Sequence, residues 1–398
     1  MRHRLGGVVR AAGETALVRR SLVAAVALGT VVYGVSVPGA LTDLEVYRTG
    51  GASWLHGTPL YTDAFPFWLP FTYPPVSAVL FGVLAVLPFV VAAMLLAVAG
   101  LVALSVTTAS AVPPVSARAV ATLAVVCGPV LEPVRTTLMF GQVNLVLMGL
   151  VAADCLVAGT RHPRGMLVGL AAAVKLTPLV FVLFFVARRQ FRPAVTAVVT
   201  FAAATGAGML FAPADSARYW WTTVFDPGRI GGAEFATNQS LRAALTRLDL
   251  TEAWLPLVAV VLVLAWLGAR RASDPVPALL VVAAAGLLVS PVSWSHHWVW
   301  IAPALAYFAV HAHRNRAVLV ATAVVFVAGQ RFLPHGRGRE LAWTWWQHLL
   351  GNSYLLAALT FLAWSALMSR PGGSNARLAD RVRAGSAALD RPMKGGGR

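Results

Sequence analysis

FVVAAMLLAVAGLVALSVTTASA, residues 89–111, contains no charged side chain. A helix rises about 1.5 Å per residue, so a run of this length spans the roughly 30 Å hydrocarbon core of a bilayer. Lipid offers backbone N–H and C=O groups no partners, so such a segment must satisfy them within itself as an α-helix. Similar runs recur near residues 21–39, 73–88, 118–131, 143–159, 165–186, 192–212, 253–269, 276–292, 297–312, 315–333 and 350–369. The reading is an all-α integral membrane protein, a multi-span bundle of about twelve transmembrane helices. Composition agrees: 58% of the 398 residues are hydrophobic and only 12% are charged, about half the charge of a soluble domain. Mean hydropathy is +0.72.

The formal net charge of +17 would suggest nucleic acid in a soluble protein. Here Lys and Arg gather at the termini and in short loops between apolar runs, which is how orientation is encoded in membranes, so no nucleic-acid partner is expected. With both termini cytoplasmic, ARRQFR (187–192), RRASDP (270–275) and HAHRNR (311–316) fall on the cytoplasmic side as well. The basic GTRHPR loop (159–164) breaks this order, and 118–131 is short for a full span; a re-entrant hairpin there would change the parity. Residues 1–20 read as a basic cytoplasmic N-terminus, 21–369 as one membrane domain whose first helix is uncleaved, and 370–398 as a disordered basic cytoplasmic tail. The two cysteines, Cys127 and Cys155, lie in apolar segments and suggest neither a disulfide nor a zinc site.

Three long polar connections, 40–72, 213–252 and 334–349, then face outward. Their Trp, Tyr and Pro content suits interfacial helices. Fifteen acids in the whole chain leave few candidates for a general base. Asp43 is foremost, because it directly follows the first apolar helix, in LTDLEVYRTGG, at headgroup level. Glu45 and Asp63 are its rivals, and Tyr73 lies in the same connection, in FTYPP (71–75).

Lys175, in GLAAAVKLTPLVF, sits mid-run, where an ammonium costs at least about 2.5–3.5 kcal/mol unless it faces a wet cavity or a counter-ion. Pro178 should break the helix beside it. Two readings follow: an ion pair with the embedded Asp154, or an anion-binding lysine for a phosphate. His296 and His297, in SPVSWSHHWVW (290–300), point in different directions from adjacent positions and do not by themselves make a metal site; either suits a phosphate donor or proton acceptor. GQVN (141–144) and NQSLR (238–242) add Gln142, Asn144, Asn238 and Arg242 at segment ends, where substrate hydroxyls or a phosphate could be met. No cofactor is implied, and dependence on a divalent metal is left open.

DLEVYRTGGASWLHGTPLY, FTYPPVSAVLFGVLAVLP, FGQVNLVLMGLVAAD, GLAAAVKLTPLVF, NQSL and SPVSWSHHWVW, in that order over residues 40–310, resemble the actinobacterial polyprenol-phosphate-mannose-dependent α-(1→2)-mannosyltransferases of glycosyltransferase family 87, in the GT-C superfamily. The resemblance implies a GT-C-like bundle with a long first outer loop, a cell-membrane location and an extracytoplasmic active site. It implies a polyprenyl phosphate mannose donor and a glycolipid or lipoglycan acceptor such as a phosphatidylinositol mannoside, lipomannan or lipoarabinomannan. It places the catalytic acid in the first outer loop, where Asp43 is the matching position. A β-linked donor giving an α product requires inversion, for which one base suffices, while the departing phosphate needs cations or donors to hold it. A transporter or flippase for lipid-linked sugars is the competing class. The concentration of polar residues in outer loops, rather than at a midplane between repeats, argues against it.

Overall fold

The computed structural model describes residues 2–62, 69–311, 315–330 and 332–368. Asp63 and the basic tail from residue 370 onward lie outside them. The chain opens with α1 (Arg2–Ser36), followed by α2 (Thr42–Leu55), α3 (Pro75–Val86), α4 (Phe89–Ser110) and α5 (Pro114–Cys127). Pro75 and Pro114 occupy first-turn positions, where a missing N–H is no loss. Next come α6 (Glu132–Phe140), α7 (Asn144–Leu156), α8 (Met166–Val174), α9 (Val182–Ala187) and α10 (Phe191–Phe211). The remainder is α11 (Pro213–Trp221), α12 (Leu241–Arg247), α13 (Trp254–Arg271), α14 (Pro275–Val289), α15 (Ile301–His311), α16 (Arg316–Ala328), α17 (Trp345–Gly351) and α18 (Ser353–Met368).

Among the described residues four helices are long and apolar enough to cross a membrane: Val18–Ser36, Phe89–Ser110, Phe191–Phe211 and Thr251–Arg271. Two bent pairs, Pro114–Val130 with Glu132–Phe140 at 78° and Trp345–Gly351 with Ser353–Leu367 at 71°, raise the number to six if each pair is one span. By length and composition, four to six of the expected dozen or so spans are present as single or bent helices. Several apolar runs fold instead as helices of 10–17 residues, among them α3, α7, α14 and α16. Proline and glycine punctuation is the physical reason: a run apolar enough for a span is still cut where the backbone cannot continue a helix. Thus the run at 165–186 divides into α8, a 3-10 turn over Thr177–Phe181 containing Pro178, and α9.

Helices pack as α2 on α3, α4 on α7, α8 on α10, and α13 on α14 and α18. The first of these contacts depends on Gly51, since a Cβ there would lie 2.4 Å from the Phe81 carbonyl oxygen. An aromatic cluster binds the α2–α3 connection to the bundle: Tyr47 stacks on Phe81 at 4.5 Å between ring centres and meets Tyr73 edge-on at 5.2 Å. On the same layer, residues 237–240 join residues 293–295. Gln239 N–H donates to Ser293 O at 2.8 Å and Ser295 N–H to Thr237 O at 2.7 Å. Beneath that junction the buried Arg247 donates to the carbonyls of Glu234, Phe235 and Asn238 and to the Asn352 side chain.

Candidate active site

The site begins where α1 gives way to α2. Leu41 takes the left-handed conformation at φ 56° and turns the chain, so that Asp43 emerges in the first turn of α2. The Asp43 carboxylate accepts a hydrogen bond from the Gln142 side chain and lies within the field of Lys175. Burial is the dominant influence on it and lifts its pKa to about 6, against the smaller lowering effects of Gln142 and Lys175.

Gln142 is held by the end of α6. Gly141, at φ 66°, makes the left-handed helix stop that a side chain would resist, and Gln142 N–H returns to Thr137 O at 2.9 Å. The Tyr47 hydroxyl donates to Gln142 Oε1 at 2.8 Å and lies 2.9 Å from the Tyr73 hydroxyl, from which it must then accept. A hydroxyl with its single proton committed leaves Gln142 one orientation, with its amide hydrogens toward Asp43. Tyr47, four residues after Asp43, shares its face of α2. That spacing is the signal by which sequence reasoning could have found it, and did not.

Two residues on, Asn144 opens α7. Its Nδ2 donates to His296 O at 3.1 Å, an oxygen that also accepts from Thr137 Oγ1 at 2.8 Å. Its Oδ1 is thereby aimed at Lys175, whose Nζ donates to it at 3.0 Å and to His297 Nε2 at 3.1 Å. An ammonium can only donate, so this contact requires the His297 Nε2 to be unprotonated. Lys175 itself has left the helix, with extended backbone at φ −146° and ψ 126°, just before the Pro178 turn. Its Nζ also lies 5.6 Å from the Tyr73 ring centre.

Lys175, Asn144, Ser293 and His297 form the polar end of a groove enclosing about 550 Å³, whose other walls include Leu147, Met148, Val151, Phe181, Leu287 and Trp300. A charged end joined to a long apolar wall matches a ligand that is itself a phosphate or similar anion carried on a hydrocarbon chain.

Six residues singled out in the sequence thus come together: Asp43, Tyr73, Gln142, Asn144, Lys175 and His297. His296 adjoins them, its ring 4.7 Å from that of His297, and its backbone oxygen serves as the anchor for Asn144. Four other expectations fare differently. The ion pair of Lys175 with Asp154 is not formed: Asp154 instead accepts from the N–H groups of Gly165 and Val168 at 2.8 and 2.9 Å, fastening the start of α8. Asn238 is fully buried with its side chain on backbone, Oδ1 accepting from Ser293 and Ser240 N–H and Nδ2 donating to Ala233 O. Arg242 rests over the Trp254 ring at 5.7 Å, and Glu45 lies two positions beyond Asp43 on α2, half-buried as Asp43 is. Among the described residues no three His, Cys, Asp or Glu side chains gather as a metal-binding group.

An acid and a cation held around one amide pair, at the head of an apolar groove in a helical membrane protein, define a membrane-embedded transferase for lipid-borne substrates. The profile of glycosyltransferase family 87 matches residues 71–291. The chain is 39% identical over 368 residues to a polyprenol-phosphate-mannose-dependent α-(1→2)-phosphatidylinositol mannoside mannosyltransferase of Mycolicibacterium smegmatis, covering 82% of this chain and 84% of that protein. It is 38% identical over 384 residues to the protein of the same description in Mycobacterium tuberculosis, covering 87% and 89%. A phosphatidylinositol pentamannoside mannosyltransferase of M. smegmatis is 34% identical over 359 residues, covering 83% and 86%. No solved structure matches. The chain belongs to glycosyltransferase family 87, and this sets aside the transporter reading.

Proposed function

We propose that this enzyme transfers mannose, with inversion, from polyprenyl phosphate mannose to the 2-hydroxyl of a mannose on a phosphatidylinositol mannoside, with Asp43 as general base. The observation that carries the reading is the placement of Asp43 and Lys175 on either side of the Gln142–Asn144 turn. Asp43 takes the proton of the acceptor hydroxyl as its oxygen bonds to the anomeric carbon. The bond from that carbon to the phosphate oxygen breaks, and its electron pair leaves with the polyprenyl phosphate. The departing phosphate gains charge in that step and needs a cation beside it, and Lys175 supplies it, held in place by Asn144 and His297. The prenyl chain lies along the groove past Leu147, Val151 and Phe181.

Acceptors of the phosphatidylinositol mannoside type are favoured over the pentamannoside by the higher identity to the first two relatives. The site faces the extracytoplasmic side, opposite the basic 187–192 and 270–275 loops. Residues 21–369 act as one domain in which the shorter apolar helices complete the crossings as broken spans, and 1–20 and 370–398 stay cytoplasmic.

The test is transfer from labelled polyprenyl phosphate mannose to endogenous lipid acceptors, in membranes holding wild type or Asp43→Asn at matched levels. A fall of more than about a hundredfold supports Asp43 as base. Near-normal activity of the variant moves the base to Glu45 or Asp63, and no transfer by wild type across a panel of acceptors overturns the donor and acceptor assignment.

A further inference from the structure

Leu41 combines three features that a connecting residue does not need. It is a non-glycine residue at positive φ, 56°, it is 2% exposed, and it stands two positions before the acid. Left-handed backbone is unfavourable for a branched side chain, so the surroundings must impose it. They do so from two sides. Its N–H donates to Met139 O at 2.7 Å, tying the start of α2 to the end of α6. Its side chain occupies a notch made by two glycines: a Cβ on Gly34 would lie 2.5 Å from Leu41 Cδ1, and one on Gly141 would lie 3.3 Å from Leu41 Cδ2 and 2.9 Å from Leu44 Cβ. Gly141 is also the stop that presents Gln142 to Asp43, so the notch and the carboxylate's hydrogen-bond donor are adjacent residues.

We propose that Leu41 is a positioning residue, an apolar hook that seats the half-buried Asp43 against Gln142 and limits the water that reaches its carboxylate. This rests on Asp43 being the base. The titratable groups that act on that carboxylate are Tyr47 on α2, Tyr73 ahead of α3 and Lys175 after α8; Glu45 and Arg48 share α2, and His296 and His297 follow α14. Arg48 is turned away, its guanidinium donating to the carbonyls of Leu84 and Leu87.

Leu41→Gly keeps the left-handed turn without strain while removing the hook, so it separates positioning from folding. In reconstituted vesicles its transfer rate should fall at least about tenfold, as misplacement by about 1 Å can cost a hundredfold. The acid limb of its rate profile should move from near pH 6 toward ordinary carboxylate values, by about one unit. Binding of unlabelled polyprenyl phosphate should stay unchanged, and Leu41→Met, close in volume, should restore both rate and limb. Gly141→Ala, which pushes on Leu44 instead, should move the limb in the same direction. A Leu41→Gly enzyme of normal rate, or one slowed with its acid limb in place, overturns the proposal. An active Asp43→Asn enzyme overturns the base assignment instead.

Discussion

A lysine in an apolar run demands an answer from its surroundings, and Lys175 receives it from the field of Asp43 and, in direct contact, from neutral groups: Asn144 Oδ1, His297 Nε2 and the face of Tyr73. A cation whose direct contacts are neutral acceptors is poised for an incoming anion. Lys175→Met should leave the protein folded and lower transfer by about a hundredfold, with weaker binding of polyprenyl phosphate, because the leaving group loses its cation. Asp43 is the converse case. Its pKa, about 6 against an ordinary 3.8, means that the carboxylate form is disfavoured by burial. The base must be ionised, so transfer should fall about tenfold per pH unit below 6. For stability the sign is opposite: the raised value favours the protonated fold, and ionisation above it weakens the fold by up to about 3 kcal/mol. Asp43→Asn should therefore raise the melting temperature at pH 7.5 while abolishing transfer, and the gain should vanish below about pH 4. Tyr47→Phe keeps the ring stack but frees Gln142 to turn, and should slow transfer with little change in melting temperature.

Among the elements, the break in the run at 165–186 matters most. Pro178 announced it, and the break is what lets Lys175 extend toward Asn144 instead of lying along a helix flank. The pairing of α2 with α3 depends on a different device, the close approach at Gly51. Gly51→Val would drive methyl groups into the Phe81 carbonyl. The expected outcome is a loss of about 1–3 kcal/mol together with lost transfer, measured as thermal unfolding and activity in the same detergent-solubilised preparation. The Asp154 carboxylate shows how an embedded charge can serve an element alone. Caught by two N–H groups at the start of α8, it needs no lysine.

At the scale of the molecule, the site is assembled from parts far apart in the chain: Asp43, the 141–144 turn, Lys175 and the 293–297 turn. The loop layer holds the last of these in place through Asn238 and through Arg247, buried over the Trp343 ring at 5.4 Å. Arg247→Leu should remove that brace and lower the melting temperature by more than Arg242→Leu, whose guanidinium is only half-buried over Trp254. The orientation can be read by labelling. In a cysteine-free background, Arg337→Cys should react with an impermeant maleimide from outside intact cells, and Arg189→Cys only after permeabilisation.

The membrane class and the list of candidate residues were legible in the sequence, because apolar runs and the few charges that interrupt them are local properties. Asp43, Gln142, Asn144, Lys175 and His297 could be picked out one by one, since each stands at a helix end or breaks an apolar run. What faced what was not legible. Lys175 had two reasonable partners, Asp154 and a phosphate, and the choice between them lay in which way a broken helix turned. Hydropathy likewise records how apolar a run is, not the length of the helix it makes: the run at 73–88 folds as the 12-residue α3. Asn238 reads as a polar side chain available to substrate until the fold surrounds it with backbone donors. The linear chain determined the solvent this protein lives in and the chemical groups it holds. Only the tertiary structure decided which of those groups meet, because hydrogen bonds between residues as distant as 144 and 175, or 175 and 297, exist only once the helices have packed.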